Sequence, residues 1–164
     1  MIRYASNTAV SRSRSIEQIE RTLSRYGADS FGYGWEGDRA VVAFRAHNRM
    51  IRLLIPMPKR DDKAFTLTPS GRRRRSQKDS YAEWERACRQ RFRVLSLVVK
   101  AKLEAVESGL ATFEEEFLAY TLLPDGRSVG EMALPEVARA YEKGQAPRFL
   151  LPALSSGKGK DDGA

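Results

Sequence analysis

Hydrophobic residues near the start of the chain recur every three or four positions, which is the period of an amphipathic helix. The residues that carry this pattern are Ile16, Ile19, Leu23 and Tyr26. Ser15 and Gln18 match a capping box at the start of the pattern, and Gly27 is a typical helix stop. The pattern therefore predicts a helix over 16–26, preceded by a flexible basic arm over 1–14.

From residue 30 the period changes to two, which is typical of β-strands. Three alternating runs follow one another, at 30–36, 39–47 and 50–57. Gly37-Asp38 and His47-Asn48 separate them, and both pairs indicate tight turns, the second because Asn tolerates positive φ. Connections this short join antiparallel neighbours, so we expect a three-stranded antiparallel meander.

The longest patterned segment returns to spacings of three and four and predicts a helix over 81–108. Its apolar positions are Tyr81, Trp84, Cys88, Phe92, Leu95, Val99, Leu103 and Val106. Ser80 and Glu83 match a capping box at its start, and Gly109 is the expected stop. At 1.5 Å per residue, such a helix is roughly 40 Å long and would cross the whole domain.

Two shorter helices are predicted after the long one. Capping patterns at 112–115 and 128–131 mark their starts. We expect the first to reach about residue 123, and the second to be broken near Pro135 and to end at Gly144.

These elements predict an α+β fold with an N-terminal helix, a three-stranded antiparallel meander, a long helix packed on the sheet and two shorter C-terminal helices. We expect a single domain over 15–154, in which 58–79 form a long basic loop. The final segment, 155–164, contains mainly Gly, Ser, Lys and Asp and is expected to be a disordered tail.

Composition narrows the class of protein. The chain has 164 residues, of which 41% are hydrophobic, and this is enough for one buried core. No apolar run approaches the roughly 18 residues that span a bilayer, and the polar, basic start does not match a signal peptide. The single cysteine, Cys88, excludes an internal disulfide and a zinc site built from several cysteines. We therefore expect a cytoplasmic protein without membrane association.

The charge is unevenly distributed along the chain. Residues 1–100 contain 22 Lys and Arg against 10 Asp and Glu, whereas 101–164 contain 7 against 11. A basic body joined to a mildly acidic C-terminal part suggests one cationic working face. Such faces most often bind nucleic acid, and less often an acidic protein or a membrane surface.

Arginines in two places could form this face. Arg72, Arg73, Arg74 and Arg75 form a run in the long loop, with Lys78 close behind. On the long helix, Arg86, Arg89, Arg93 and Lys100 fall within an arc of about 60°, away from the apolar seam. A guanidinium can donate two parallel hydrogen bonds to a phosphate, so a loop cluster and a helical stripe could follow a phosphate backbone. Arg45, Arg49 and the N-terminal arm form a second rank of candidates; the alternative for all of them is solvated surface.

Phe31, Tyr33 and Trp35 lie on one face of the first strand. They could stack on unpaired bases. However, a sheet must bury one face, and this face is the most apolar candidate. We therefore expect these aromatic residues to be buried beneath the long helix.

Other candidate chemistry is weaker. His47 is the only histidine and lies in a turn, and Cys88 lies on the apolar seam, so we assign a structural role to both. Asp61-Asp62-Lys63 contains a D-x-K triplet of the kind that nucleases use for magnesium, but no upstream acid pairs with it. Glu114–Glu116 suit a helix N-terminus by their charge. We expect no enzyme activity, no cofactor and no metal.

The stretch GRRRRSQKDSYAEWERACRQRFRVLSLVVKAKLEAVESGLATFEEEFLAYTLLPDGRSVG resembles a family of small, uncharacterised proteins encoded by bacterial phages and prophages. The resemblance extends upstream over YGADSFGYGWEGDRAVVAFRAHNRMIRLLIPMP, and WERACRQR to KAKLEAVESG is its most specific part. This family has no assigned activity, so the resemblance implies no site residues. It implies a phage-related setting in a bacterial cell. Separately, the order helix, three strands, helix with a basic cluster at the second helix resembles double-stranded-RNA-binding domains in topology alone.

These observations lead to two hypotheses. The first is an accessory protein of phage DNA replication, recombination or regulation, which binds nucleic acid through phosphates and with low sequence specificity; DNA is favoured over RNA, and the sequence leaves that choice open. The second is a protein-binding module, such as a phage inhibitor of a host defence or DNA-processing protein. The sequence leaves the strand type, the oligomeric state and any protein partner open.

Overall fold

The computed structural model describes the backbone of residues 4–147 and the side chains of 14–147. Its helices and strands, in chain order, are α1 (Tyr4–Arg25), β1 (Ser30–Glu36), β2 (Arg39–Ala46), β3 (Arg49–Pro56), α2 (Lys63–Thr66), α3 (Gln77–Glu107), α4 (Phe113–Phe117), a 3₁₀ turn (Leu118–Tyr120) and α5 (Val129–Lys143). The predicted α+β fold is confirmed, with the meander and the long helix in the predicted order.

The sheet is an antiparallel meander in the order β1-β2-β3. Two-residue turns join its strands, and His47 and Asn48 both have positive φ, as the second turn requires. Along β2, Ala40, Val42 and Phe44 are buried because they point to the same face of the sheet. We call this the inner face, since α1 and α3 cover it.

The core lies between the inner face and these two helices. α3 supplies the buried residues of the seam: Cys88, Phe92, Leu95, Val99 and Leu103. α1 supplies Ile16, Ile19 and Leu23, and α1 packs directly on α3. Cys88 is completely buried, in agreement with its predicted structural role.

Two helix starts differ from the prediction. α1 begins at Tyr4, so the predicted flexible arm is wrong for 4–14, and Ser15 and Gln18 lie inside the helix. α3 begins at Gln77, because the Ser76 side chain, and not that of Ser80, accepts the capping hydrogen bond. Residues 77–80 are polar and leave no periodic signal before the apolar seam of α3, which explains the second difference.

The predicted loop over 58–79 is partly folded. Asp62 caps α2 by accepting a hydrogen bond from the Ala64 amide at 3.1 Å. A short hairpin follows, closed by a bridge between Leu67 and Arg74. This segment therefore presents its basic residues on an ordered backbone.

The C-terminal part closes one edge of the sheet. Thr112 and Ser128 each form the predicted capping box, but α4 stops at Phe117 and a 3₁₀ turn follows. The Leu122 amide then donates to the Met50 carbonyl at 2.8 Å, beside β3. α5 continues through Pro135, contrary to the predicted break, and ends at Gly144 as expected.

The predicted tail at 155–164, the stretch 148–154 and residues 1–3 of the predicted arm lie outside the described residues. Within the described part of the chain, none of the helices combines the length and the apolar character needed to cross a membrane.

Candidate nucleic-acid interface

The hairpin at 67–75, which we call the cationic hairpin, carries most of the basic run. The Thr68 amide donates to the Arg73 carbonyl and the Arg75 amide donates to the Thr66 carbonyl, both at 2.8 Å. Gly71 forms the tip with φ of 71°, a left-handed conformation that glycine adopts without strain. Arg72, Arg73 and Arg74 are exposed around this tip.

Arg75 has a different position from its three neighbours. Its Nε donates to the Leu67 carbonyl at 2.7 Å, and its Nη1 lies 3.6 Å from the Glu83 carboxylate. Only 17% of its side chain is exposed. The structure thus separates Arg75 from the exposed cations: its guanidinium joins the hairpin to α3.

Lys78 lies exposed in the first turn of α3, directly after the hairpin. The amide end of a helix carries partial positive charge, which favours an anion there. Asp79 supplies one negative charge in this turn, and its amide donates to the Ser76 hydroxyl at 3.1 Å. Lys78 thus lies in the first turn of the longest helix, and the exposed hairpin arginines lie in the segment directly before it.

Three of the predicted arginines line a groove between α1 and α3. Arg86, Arg89 and Arg93 face Ser15 and Gln18 across this α1–α3 groove, whose volume is about 880 Å³. The helical stripe predicted from the sequence therefore forms one wall of a real concave surface.

Neighbouring carboxylates partly neutralise this wall. Arg86 lies 3.8 Å from Glu83, and Arg89 lies 3.5 Å from Glu85. Arg93 is exposed and forms no ion pair with any described residue. Because exposed ion pairs on a helix contribute only about 0.3–0.5 kcal/mol, Arg86 can exchange its partner for a phosphate at little cost.

Sequence reasoning missed Arg91, which is exposed on the other side of α3. With Pro58, Phe65 and Val94 it lines a second groove of about 480 Å³ between α2 and α3. On the helical wheel Arg91 lies close to the apolar seam, which predicts partial burial. Its exposure is evident only once the position of α2 is known.

The second-rank arginines are not part of this surface. Arg45 alternates with buried Phe44 and Ala46, so it lies on the opposite face of the sheet from α3. Its Nε donates to Asp29 at 2.7 Å, and this hydrogen bond, together with the nearby charge, raises the pKa of the guanidinium. Arg49 lies beside the β2–β3 turn, at the end of the sheet away from the cationic hairpin. The structure therefore separates both residues from the main cluster.

The aromatic residues of β1 are not buried as a group. Phe31 packs on the core, but 60% of Tyr33 and 52% of Trp35 are exposed. The prediction of burial is therefore wrong for these two. The period-two pattern placed them on the correct face, but the helices do not extend over that part of β1.

The remaining candidates have structural positions. The His47 ring stacks on Phe113 with 4.6 Å between centroids, and Asp62 caps α2. Among the described residues, no three His, Cys, Asp or Glu side chains form a group that could hold a metal ion.

Comparison with protein-family models, curated proteins and solved structures finds no match to this chain.

Proposed function

We propose that this chain binds nucleic acid through its phosphates, with the cationic hairpin and the α1–α3 groove as the contact surface. The observation that carries the proposal is the grouping of solvent-accessible cations from two separate sequence segments, from the hairpin before α3 to the middle of that helix. These cations are Arg72, Arg73, Arg74, Lys78, Arg86, Arg89 and Arg93.

Phosphate contact explains why six of these seven groups are arginines. A guanidinium is planar and can donate two parallel hydrogen bonds to one phosphate, which lysine cannot do. The hairpin holds its backbone in place through Thr68 and Arg75, so less conformational freedom is lost when its side chains engage a ligand. We expect low sequence specificity, because phosphate contacts carry no information about the bases.

The biological setting is part of the proposal. The predicted resemblance to phage and prophage proteins suggests a phage-related setting, and in that setting we propose an accessory role in DNA replication, recombination or regulation, with DNA as the ligand. In this role the protein binds and presents nucleic acid and does not transform it.

Fluorescence anisotropy of labelled single-stranded and duplex DNA and RNA, measured across a salt series, tests the proposal. Each phosphate neutralised by a cation adds about 0.7–0.9 to the slope of log affinity against log salt. The variant R72A/R73A/R74A should therefore lower that slope by about 2–3, with weaker binding at every salt concentration.

A charge-matched control removes three arginines from other surfaces. Arg21, Arg49 and Arg139 are exposed and lie on α1, β3 and α5. R21A/R49A/R139A should leave the slope within about 1 of the wild-type value. Equal losses in both triple variants, or no binding by the wild type at about 50 mM salt, would contradict the proposal.

A second candidate function is favoured by one further observation. Val94, Leu97 and Val98 are 51%, 62% and 44% exposed on α3, next to the arginines of the groove. An apolar strip with arginines at its margin is typical of protein interfaces. On this hypothesis the chain binds an acidic protein, such as a host defence or DNA-processing factor.

The two functions separate experimentally. V94S/L97S, which removes the apolar strip and leaves the net charge unchanged, should abolish retention of a partner from a nuclease-treated lysate if the protein hypothesis holds. The same variant should keep most of its oligonucleotide affinity if the arginines bind phosphate. A competition experiment between oligonucleotide and partner then shows whether both ligands occupy one surface.

A further inference from the structure

Two large aromatic side chains are exposed side by side on β1. Tyr33 pairs with Val42 and Trp35 pairs with Ala40, and both partners on β2 are almost completely buried. Tyr33 and Trp35 therefore point to the inner face of the sheet, where the helices cover β2 but leave this part of β1 open. Their Cα atoms are two residues apart along a strand, which corresponds to about 7 Å.

This aromatic pair lies at the same end of the sheet as the start of α3. Trp35 belongs to the row that continues through Ala40 to Ile55. The Met57 amide donates to the Asp38 carbonyl at 3.4 Å, which holds the β1–β2 turn against the chain leaving β3.

The next residues complete the connection to the helix. The Trp84 indole donates to the Pro58 carbonyl at 2.8 Å, and the Arg60 guanidinium lies 4.8 Å from the centre of the Tyr81 ring. The cationic hairpin reaches the same turns of α3 through Arg75 and Glu83.

Cations therefore lie between the aromatic pair and the hairpin. Lys59 is exposed, with 70% of its side chain accessible, and its ion pair with Asp38 is long at 3.8 Å. Arg60 is also exposed. A polyanion held by the hairpin can continue past these two residues towards β1, and this charge complementarity identifies the type of occupant.

The two aromatic rings distinguish single-stranded from duplex nucleic acid by whether the faces of the bases are accessible. In a duplex, each base is stacked on its neighbours about 3.4 Å away along the strand, so its faces are not accessible. In a single strand, bases can separate and stack on aromatic side chains, whatever their sequence. We propose that Tyr33 and Trp35 stack on unpaired bases and that the nucleic acid bound by this chain is single-stranded. This inference rests on the proposed function, which it makes more specific.

Tryptophan fluorescence gives a direct test, because Trp35 and Trp84 are the only two tryptophans in the chain. In W84F, Trp35 alone emits. In W35F, Trp84 alone emits and serves as the reference. If one of the two variants folds poorly, the other still provides a single-tryptophan measurement. Each protein is titrated with oligo(dT), oligo(U) and a mixed-sequence duplex of about 16 nucleotides or base pairs.

We expect single strands to quench Trp35 emission and to leave Trp84 emission almost unchanged, with the DNA and RNA titrations showing which sugar is preferred. Y33A and W35A should each weaken single-strand binding about fivefold or more. Neither should change the salt slope, because neither ring neutralises a phosphate. Y33F and W35F, which keep an aromatic face, should retain most of the affinity.

Failure of this inference can be distinguished from failure of the proposed function. If single strands and duplexes bind equally, with a normal salt slope and unchanged Trp35 emission, the stacking proposal is wrong and phosphate binding stands. If no oligonucleotide binds the wild type at about 50 mM salt, both proposals fall. If sedimentation shows self-association that W35A abolishes, and single strands do not compete with it, a second copy of the chain occupies β1 and stacking is refuted.

Discussion

Replacing Arg75 by alanine should destabilise the protein, whereas replacing Arg74 should not. The two residues are adjacent in one run of arginines, yet Arg75 donates to the Leu67 carbonyl at 2.7 Å and Arg74 is exposed. The comparison therefore tests whether the fold, and not the basic run as such, decides what each arginine does.

The magnitude follows from the two contacts of Arg75. A hydrogen bond from a charged donor contributes about 1.5–3 kcal/mol. The ion pair with Glu83 is long at 3.6 Å and its carboxylate is 40% exposed, so it contributes less than about 1 kcal/mol. We expect R75A to lose about 2 kcal/mol of unfolding free energy, or roughly 6 °C in Tm for a domain of this size.

Urea denaturation followed by circular dichroism, together with thermal unfolding, measures this loss. Because the hairpin can open separately, hydrogen exchange adds a local measurement. The amides of Thr68 and residue 75, which close the hairpin, should exchange faster in R75A.

Two controls sharpen the result. R74A should stay within about 0.5 kcal/mol of the wild type, since it removes exposed surface only. E83Q keeps the hydrogen bond from Arg75 to Leu67 and weakens the ion pairs of Glu83 with Arg75 and Arg86, so it should cost less than about 1 kcal/mol. If R75A and R74A have the same stability and the same exchange rates, the structural role of Arg75 is refuted.

Two further predictions concern the C-terminal helices. G130A should destabilise the protein by about 1–3 kcal/mol in urea denaturation, because a Cβ at this buried position would lie 2.7 Å from the Ala119 carbonyl oxygen. The control A138G, at an exposed position of α5, should cost no more than about 1 kcal/mol. Equal losses would show that the backbone at Ala119 moves aside to accommodate the added Cβ. Stability should also fall with pH below the ordinary Glu pKa of about 4.3, because the Ser128 amide first, and then Arg52, lower the pKa of Glu131 in the folded state. The unfolded chain then binds more protons, so the contribution of Glu131 is present above that pH and is lost as pH falls through the lowered pKa. E131Q should show a smaller drop in Tm between pH 6 and pH 3 than the wild type, and an unchanged drop would contradict this assignment.

The sheet and the long helix follow from short-range patterns. Gly37-Asp38 and His47-Asn48 define both turns, and the spacing from Trp84 to Leu103 identifies the seam of α3. Helix ends were less predictable. Ser76 with Asp79 and Ser80 with Glu83 have equivalent patterns, and only the hairpin packed before α3 selects Ser76 as the cap.

The candidate site required tertiary information. The pattern assigned Tyr33 and Trp35 to the inner face correctly, but their exposure depends on how far the helices extend across the sheet. Similarly, Arg72 to Arg75 are equivalent in sequence, and Arg75 differs because the hairpin turns its side chain back towards Leu67. Patterns therefore identified the face on which a residue lies, whereas packing determined whether that residue meets solvent.

The two edges of the sheet also differ in how they can grow. On the β3 side, the Leu122 amide donates a hydrogen bond to the Met50 carbonyl. The strand ends at Pro56, which has no backbone N–H to donate to a further strand. On the β1 side, the backbone from Ser30 to Glu36 pairs only with β2 among the described elements. The β1 edge is therefore the more accessible of the two to an added strand. Two copies joined edge to edge there would form a closed pair with no second β1 edge available, so this asymmetry favours a finite assembly over a fibre.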